Sequence, residues 1–271
     1  MISEDLTAEA VALLSAADIP NARREARLLW QAVFPKRYDD AALDPETVAS
    51  FFAMVKRRAA REPLSHIVGY RDFYEHRFLV SSDVLDPRPD TETLVVAALE
   101  QDFDRVLDLG TGSGCILLSL LAARPYAQGV GADASEAALT VAAQNRSQLE
   151  LDTRAAFVTS DWFGQITGQF DLIVSNPPYI AVDEMQGLQP EVRLFEPRMA
   201  LTDEGDGLGA YRIICRDAPA FLTSGGRLIV EIGPTQAQAV SGLMAAAGLG
   251  AIRVVQDLDG RDRVVVGEKP R

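Results

Sequence analysis

Histidine and cysteine are almost missing from this chain of 271 residues: His66, His76, Cys115 and Cys215 are all it has. Two cysteines cannot build a disulfide framework, and neither has a neighbour at metal-ligand spacing. Two histidines with no cysteine partners exclude a structural zinc site and a histidine-based triad as working readings, so no metal is expected. Long apolar runs are missing too. No stretch approaches the roughly 18 uninterrupted apolar residues of a membrane helix. Residues 1–18 carry acids and no basic segment, so they do not read as a secretory signal. The expected address is a reducing cytoplasm.

Basic residues are also in deficit. Lys and Arg number 26 against 39 Asp and Glu, a net charge of −13. Residues 1–84 account for −2 of it and residues 85–271 for −11. An acidic surface repels phosphate backbones, so direct nucleic-acid binding through the larger part is not expected. Lys56, Arg57, Arg58 and Arg61 form the one basic cluster. It reads either as a solvated helix face or as a contact for an acidic partner or RNA.

The first 60 residues read as helices. Leu6, Ala10, Leu13 and Leu14 recur at helical spacing, and Ala22, Ala26, Leu28, Leu29 and Val33 do so again before Pro35. A third run, Val48, Phe51, Phe52 and Val55, follows the helix-start pair Asp44-Pro45. Residues 1–62 are thus expected to form a small helical bundle ended by Pro63. Ile67 to Tyr70 and Phe73 to Val80, with Arg71-Asp72 between, suggest a two-stranded hairpin connector over residues 63–83. From residue 84 to 271, short apolar strands alternate with helices. Strands are expected at 105–109, 129–133, 155–159, 170–175, 227–232, 251–256 and 263–267, the fifth after a Ser224-Gly225-Gly226 turn. Helices are expected after residue 114, over 135–149 and over 235–247. That alternation means an α/β fold with a mostly parallel sheet covered on both faces. Residues 180–208 form a long connection, either a lid over a substrate or a solvated loop.

Four motifs carry chemistry. Asp108-Leu109-Gly110-Thr111-Gly112-Ser113-Gly114 joins a strand to a helix, and its glycines let backbone approach a ligand closely. Its spacing is neither the dinucleotide fingerprint nor a phosphate-binding P-loop. It suits a nucleoside with a compact zwitterionic tail. Asp133 ends the next strand, where a carboxylate can accept from both ribose hydroxyls. Asp161 and Trp162, in Ser160-Asp161-Trp162-Phe163, offer an acceptor and an apolar wall for adenine; the plainer reading is a turn aspartate and a buried tryptophan. Ser175-Asn176-Pro177-Pro178-Tyr179 ends the fourth strand. Its prolines donate no backbone hydrogen bonds and hold residues 176 and 177 extended. The Asn176 side-chain oxygen and the Pro177 carbonyl then form a pair of acceptors suited to an –NH₂ group, and Tyr179 offers a planar face. The chemistry suggested is methylation of a planar amino or amide nitrogen. Cys115, at a helix start, reads as a small core residue rather than an activated thiol, and the two histidines read as surface or hairpin residues.

Taken together with Pro87-Arg88-Pro89-Asp90-Thr91-Glu92, these motifs resemble the release factor glutamine methyltransferase family (PrmC/HemK). Glu62-Pro63-Leu64 with Ile67-Val68-Gly69, Phe195-Glu196-Pro197 and Gly260-Arg261-Asp262-Arg263-Val264 extend the resemblance over residues 62–271. It implies a class I S-adenosylmethionine-dependent methyltransferase fold, Rossmann-like with a mostly parallel seven-stranded sheet, and a small N-terminal helical recognition domain joined by a β-hairpin. The implied cofactor is S-adenosyl-L-methionine. It would be held by Gly110, Thr111, Gly112, Ser113, Gly114, Asp133, Asp161, Trp162 and Asn176. The implied substrate is the glutamine of a Gly-Gly-Gln loop in class 1 peptide-chain release factors, gripped by Asn176, Pro177, Pro178 and Tyr179. Asn176, Pro177 and Tyr179 are the catalytic candidates. Arg88, Asp90 and Glu92 would shape the site without individually assignable roles, and Asp86 stands where the family has an apolar residue. Two substrates remain beside this one: a ribosomal-protein glutamine, which the motifs do not separate from it, and adenine N6 of a nucleic acid, which the acidic charge disfavours. A non-catalytic binding protein on the same fold is the reading from another class.

Overall fold

The computed structural model describes residues 2–34 and 44–271, so the expected helix stop at Pro35 lies outside the described residues. The chain divides into two compact units, Met1–Tyr70 with Gln189–Phe195, and Arg71–Leu188 with Glu196–Arg271. The first is helical: α1 (Ile2–Ala16), α2 (Ala22–Val33), α3 (Pro45–Ala59) and the short α4 (Leu64–Val68). The expected start of α3 is found, with the Asp44 carboxylate accepting from the Thr47 N–H at 3.1 Å and Pro45 at the first helical position. Ala10, Leu14, Ala26, Leu29, Phe51 and Val55 are fully buried together, and Trp30 stacks on Phe34 with ring centroids 4.1 Å apart. Leu13 is a correction, since it sits on the exposed side of α1.

The basic cluster of α3 is mostly tied up inside this unit. Arg58 is 5 % exposed, pairs with Glu25 at 2.5 Å and shares Glu191 with Arg61 at 3.1 Å each. Arg57 pairs with Glu62. Arg58 therefore pins α2 and the 189–195 segment to α3 through two carboxylates.

The second unit opens with a hairpin, β1 (Tyr70–Phe73) and β2 (His76–Leu79). Here the structure corrects the expectation. Ile67 and Val68 belong to α4, which Gly69 ends at φ +84°, and the turn falls at Tyr74-Glu75, with Tyr74 left-handed at φ +53°. His76 lies in this hairpin, whereas His66 is half-buried in α4. Then follow α5 (Glu92–Leu99), β3 (Arg105–Leu109), α6 (Cys115–Ala123), β4 (Gln128–Asp133), α7 (Glu136–Gln148), β5 (Ala155–Thr159) and β6 (Phe170–Ser175). After α8 (Pro190–Phe195), which belongs to the first unit, come α9 (Gly209–Phe221), β7 (Leu222–Glu231), α10 (Ala237–Ala246), β8 (Gly250–Gln256) and β9 (Asp262–Glu268). Ser224-Gly225-Gly226 is not a turn before the fifth strand. It lies inside β7 as an irregularity, where the register against β6 shifts between Phe170 and Leu172.

The seven strands run β5-β4-β3-β6-β7-β9-β8, parallel as far as β7 and antiparallel through β9 and β8. This is the class I methyltransferase sheet. Successive residues of the central strands feed opposite faces. Val106, Leu172, Val174 and Ile229 pack with α5 and α6, while Leu107, Leu109, Ile173 and Val230 pack with α9 and α10. Helices α5 and α9 were not anticipated. Leu94 to Ala98 is apolar on every side and so shows no helical period, and α9 contains Pro219.

Arg58→Ala leaves Glu25 and Glu191 without their shared cation, and loss of one partner of a largely buried ion pair costs about 3 kcal/mol. The urea midpoint is expected to fall accordingly; an unchanged midpoint contradicts the pinning role.

Candidate functional site

The strand order reverses at β3, whose neighbours β4 and β6 lead to opposite edges of the sheet. A crevice opens at the carboxyl ends of strands at such a point. Its walls are the loop after β3 (Gly110 to Ser113), Asp133 at the end of β4, Ser160 to Trp162 after β5, and Asn176 and Pro178 after β6. Arg88, Thr91, Pro197 and Met199 complete it. The 180–208 connection thus contributes cleft wall through Pro197, Met199 and Ala200.

Gly110, Gly112 and Gly114 have φ of +69°, +54° and +80°, a region that disfavours side chains. A Cβ on Gly110 or Gly112 would meet no atom within 4 Å, so these two present bare backbone to open space. Gly114 differs. A Cβ there would meet Leu118 and Ala142 at 3.1 and 3.3 Å, and the residue packs inward at the start of α6 instead of lining the cleft. Asp133 braces the loop, its Oδ2 accepting from the Gly112 N–H and its Oδ1 from the Ser135 N–H, both at 2.9 Å. Each oxygen keeps a lone pair for a further donor. Asp161 is exposed and Trp162 half-buried, the latter held at φ +48° while its carbonyl accepts from the Ser160 hydroxyl at 2.8 Å. Phe163 turns away to stack on Phe221 at 4.6 Å.

At the end of β6, the Ser175 hydroxyl donates to the Leu109 carbonyl at 2.7 Å and locks this strand end to β3. Asn176 and Pro178 line the cleft, whereas Pro177 is buried and Tyr179 is half-buried against the α9–α10 side of the core. Burial pushes the Tyr179 phenol well above its ordinary pKa, so it stays protonated. The loop is tied down from behind. Gln236 donates to the Tyr179 carbonyl at 3.0 Å and to the Gly207 carbonyl at 3.2 Å. Gly207, at φ +74°, sits so close that a Cβ would come within 2.3 Å of the Tyr179 carbonyl oxygen.

The charged residues of residues 87–92 take separate tasks that sequence reading left unassigned. Arg88 pairs with buried Glu196 at 2.5 Å, joining the two motifs that contain them. Asp90 pairs with Arg263 at 3.0 Å, and Arg263 also reaches Asp257. Glu92 accepts from the Tyr74 N–H at 2.9 Å and so anchors the hairpin. Asp86 is not in a strand; it is buried, with Arg71 and Arg88 at 3.7 and 3.8 Å. Thr91 had no role beyond membership of its motif; it is 2 % exposed and its Oγ1 lies 3.3 Å from the Asn176 amide nitrogen. Glu231, 1 % exposed at the end of β7, was not singled out.

Asp108, Glu231 and Cys115 are among the buried groups displaced in pKa. Asp108 is fully buried; desolvation pushes it up to about 7 despite a 2.7 Å bond from the Thr111 hydroxyl. Glu231 is pushed up to about 7 for the same reason, and Cys115 to about 12, so the latter remains a packed thiol. Because the folded carboxyl of Asp108 holds its proton more tightly than the unfolded one, its contribution to stability is complete below pH 3.8 and is lost as pH rises toward about 7. Asp108→Asn should remove one proton's worth of that decline, about 1.4 kcal/mol per pH unit, from urea-unfolding curves between these limits. Parallel wild-type and variant curves would contradict it.

Residues 72–206 match the model of the methyltransferase small domain, and residues 5–69 match that of the PrmC N-terminal domain. The release factor glutamine methyltransferase of Cereibacter sphaeroides is 51 % identical over 276 residues, covering 100 % of this chain and 99 % of that one. Its counterpart in Rhodospirillum rubrum is 44 % identical, covering 94 % and 82 %. A methyltransferase from Pyrococcus furiosus superposes with a TM-score of 0.54 at 14 % identity, over 72 % of this chain and 89 % of that one, a likeness of fold. With half its residues shared along the full length of a relative, the chain belongs to the release factor glutamine methyltransferase family.

Proposed function

We propose that the chain methylates the side-chain amide nitrogen (N5) of the glutamine in the Gly-Gly-Gln loop of class 1 peptide-chain release factors, in the cytoplasm. The observation that carries this reading is the end of β6, where Asn176 faces the cleft and two prolines remove the competing backbone donors. Bound S-adenosylmethionine supplies an electrophilic methyl group on a sulfonium. The residues present suit it: bare backbone at Gly110 and Gly112, acceptors at Asp133 and Asp161, and an apolar wall at Trp162. Thr111 and Ser113 complete that wall, whereas Gly114 serves it by starting α6.

An amide nitrogen is a poor nucleophile because its lone pair is delocalised. Its two N–H groups donate to the Asn176 Oδ1 and the Pro177 carbonyl, which raises electron density on nitrogen and fixes its orientation. Catalysis then rests on proximity and alignment. A strong base is not required, since the proton leaves after transfer, and neither Asp108 nor Glu231 lines the cleft. Pro178 and Tyr179 stiffen this grip, with Tyr179 held through Gln236. The first unit, Met1–Tyr70 with Gln189–Phe195, serves as the recognition domain in place of the expected 1–62, the hairpin of β1 and β2 as the connector, and the rest of the second unit as the methyltransferase domain. Among the described residues no helix is long and apolar enough to cross a membrane.

The test is methyl transfer from labelled S-adenosylmethionine to an unmethylated release factor, with mass spectrometry locating the product. One methyl on the loop glutamine, absent when that residue is alanine, is expected. Cofactor binding without transfer would move the substrate to a ribosomal-protein glutamine. Asn176→Ala should lower kcat about 10²-fold while cofactor affinity falls far less; full turnover would remove the role given to Asn176.

A further inference from the structure

An asparagine side chain grips an amide only if its oxygen, and not its nitrogen, faces the substrate. The backbone fixes the Pro177 carbonyl, but the Asn176 amide can present either end by a half-turn about its last bond. Something in the fold must choose between the ends. Among the described residues, the polar side chain hydrogen-bonded to the Asn176 amide is Thr91, whose Oγ1 is 3.3 Å from Nδ2. Thr91 is 2 % exposed, placed by its N–H bond to the Arg88 carbonyl at 3.1 Å.

In the contact between Asn176 and Thr91, Nδ2 donates and the Thr91 oxygen accepts, so the amide turns its –NH₂ toward Thr91 and leaves Oδ1 for the cleft.

We propose that Thr91 is a positioning residue for the transfer: its hydroxyl oxygen, 3.3 Å from Nδ2, orients Asn176 so that the side-chain oxygen meets the substrate amide. The inference rests on the glutamine reading of the site. It assigns a task to the threonine of residues 87–92, between Asp90 and Glu92, whose bonds to Arg263 and Tyr74 hold the surrounding backbone.

The test compares wild type with Thr91→Val, which keeps shape and loses the hydroxyl, and Thr91→Ser, which restores it. Thr91→Val is expected to lower kcat with a release factor at least about tenfold, with KM and the Kd for S-adenosylmethionine changed less than about threefold. Thr91→Ser should recover most of kcat. Thr91→Val at the wild-type kcat, or Thr91→Ser as impaired as Thr91→Val, overturns the proposal. A substrate-free arm follows the side-chain amide protons of Asn176 by NMR, assigned by their loss in Asn176→Asp. They should exchange slowly in wild type and Thr91→Ser and faster in Thr91→Val; equal exchange in all three also overturns it. A wild-type protein that transfers no methyl to a release factor would defeat the substrate reading, while this NMR arm still decides whether Thr91 orients Asn176.

Discussion

Pro177 and Pro178 remove two backbone N–H groups from the carboxyl end of β6, and much of the fold answers to that loss. A strand end without donors cannot be held by further sheet pairing. It is held instead from three sides: Ser175 bonds the Leu109 carbonyl, Thr91 meets the Asn176 amide, and Gln236 donates to the Tyr179 carbonyl. Each support comes from a different element, β6 itself, the residues before α5, and the start of α10. The result is a short segment, braced by three elements, that carries two residues without backbone donors.

The charged groups around the segment hold it in place. Arg88 with Glu196, Asp90 with Arg263 and Glu92 with the Tyr74 backbone fix residues 87–92 against three other parts of the second unit. Burial pushes Asp108 up to about 7, an energetic penalty that its position offsets through the bond from Thr111, which shapes the glycine loop.

The strands were legible in the sequence because central parallel strands are short, largely apolar runs closed by glycine or aspartate, as Arg105–Leu109 before Gly110 and Gln128–Asp133 are. Cleft residues were legible where chemistry restricts composition, at the alternating glycines, Asp133 and the proline pair. Less visible was anything set by contacts distant in the chain. Nothing local distinguishes Gly114, which packs inward, from Gly110 and Gly112, which face open space. The ion pair of Arg88 with Glu196 spans 108 residues, and the bond of Thr91 with Asn176 spans 85. The hairpin was misplaced because Gly69 and Tyr74 both take left-handed backbone, and only the glycine advertises it.

The central claim is that the site selects an –NH₂ group through paired acceptors. The most direct measurement is the affinity of the protein, saturated with S-adenosylhomocysteine, for a release factor whose loop glutamine is kept or changed to glutamate. A carboxylate has no proton to give to the Asn176 oxygen or the Pro177 carbonyl, and unpaired acceptors facing it disfavour binding. The account predicts that the glutamate form binds at least about tenfold more weakly. Equal affinity for the two forms would contradict it.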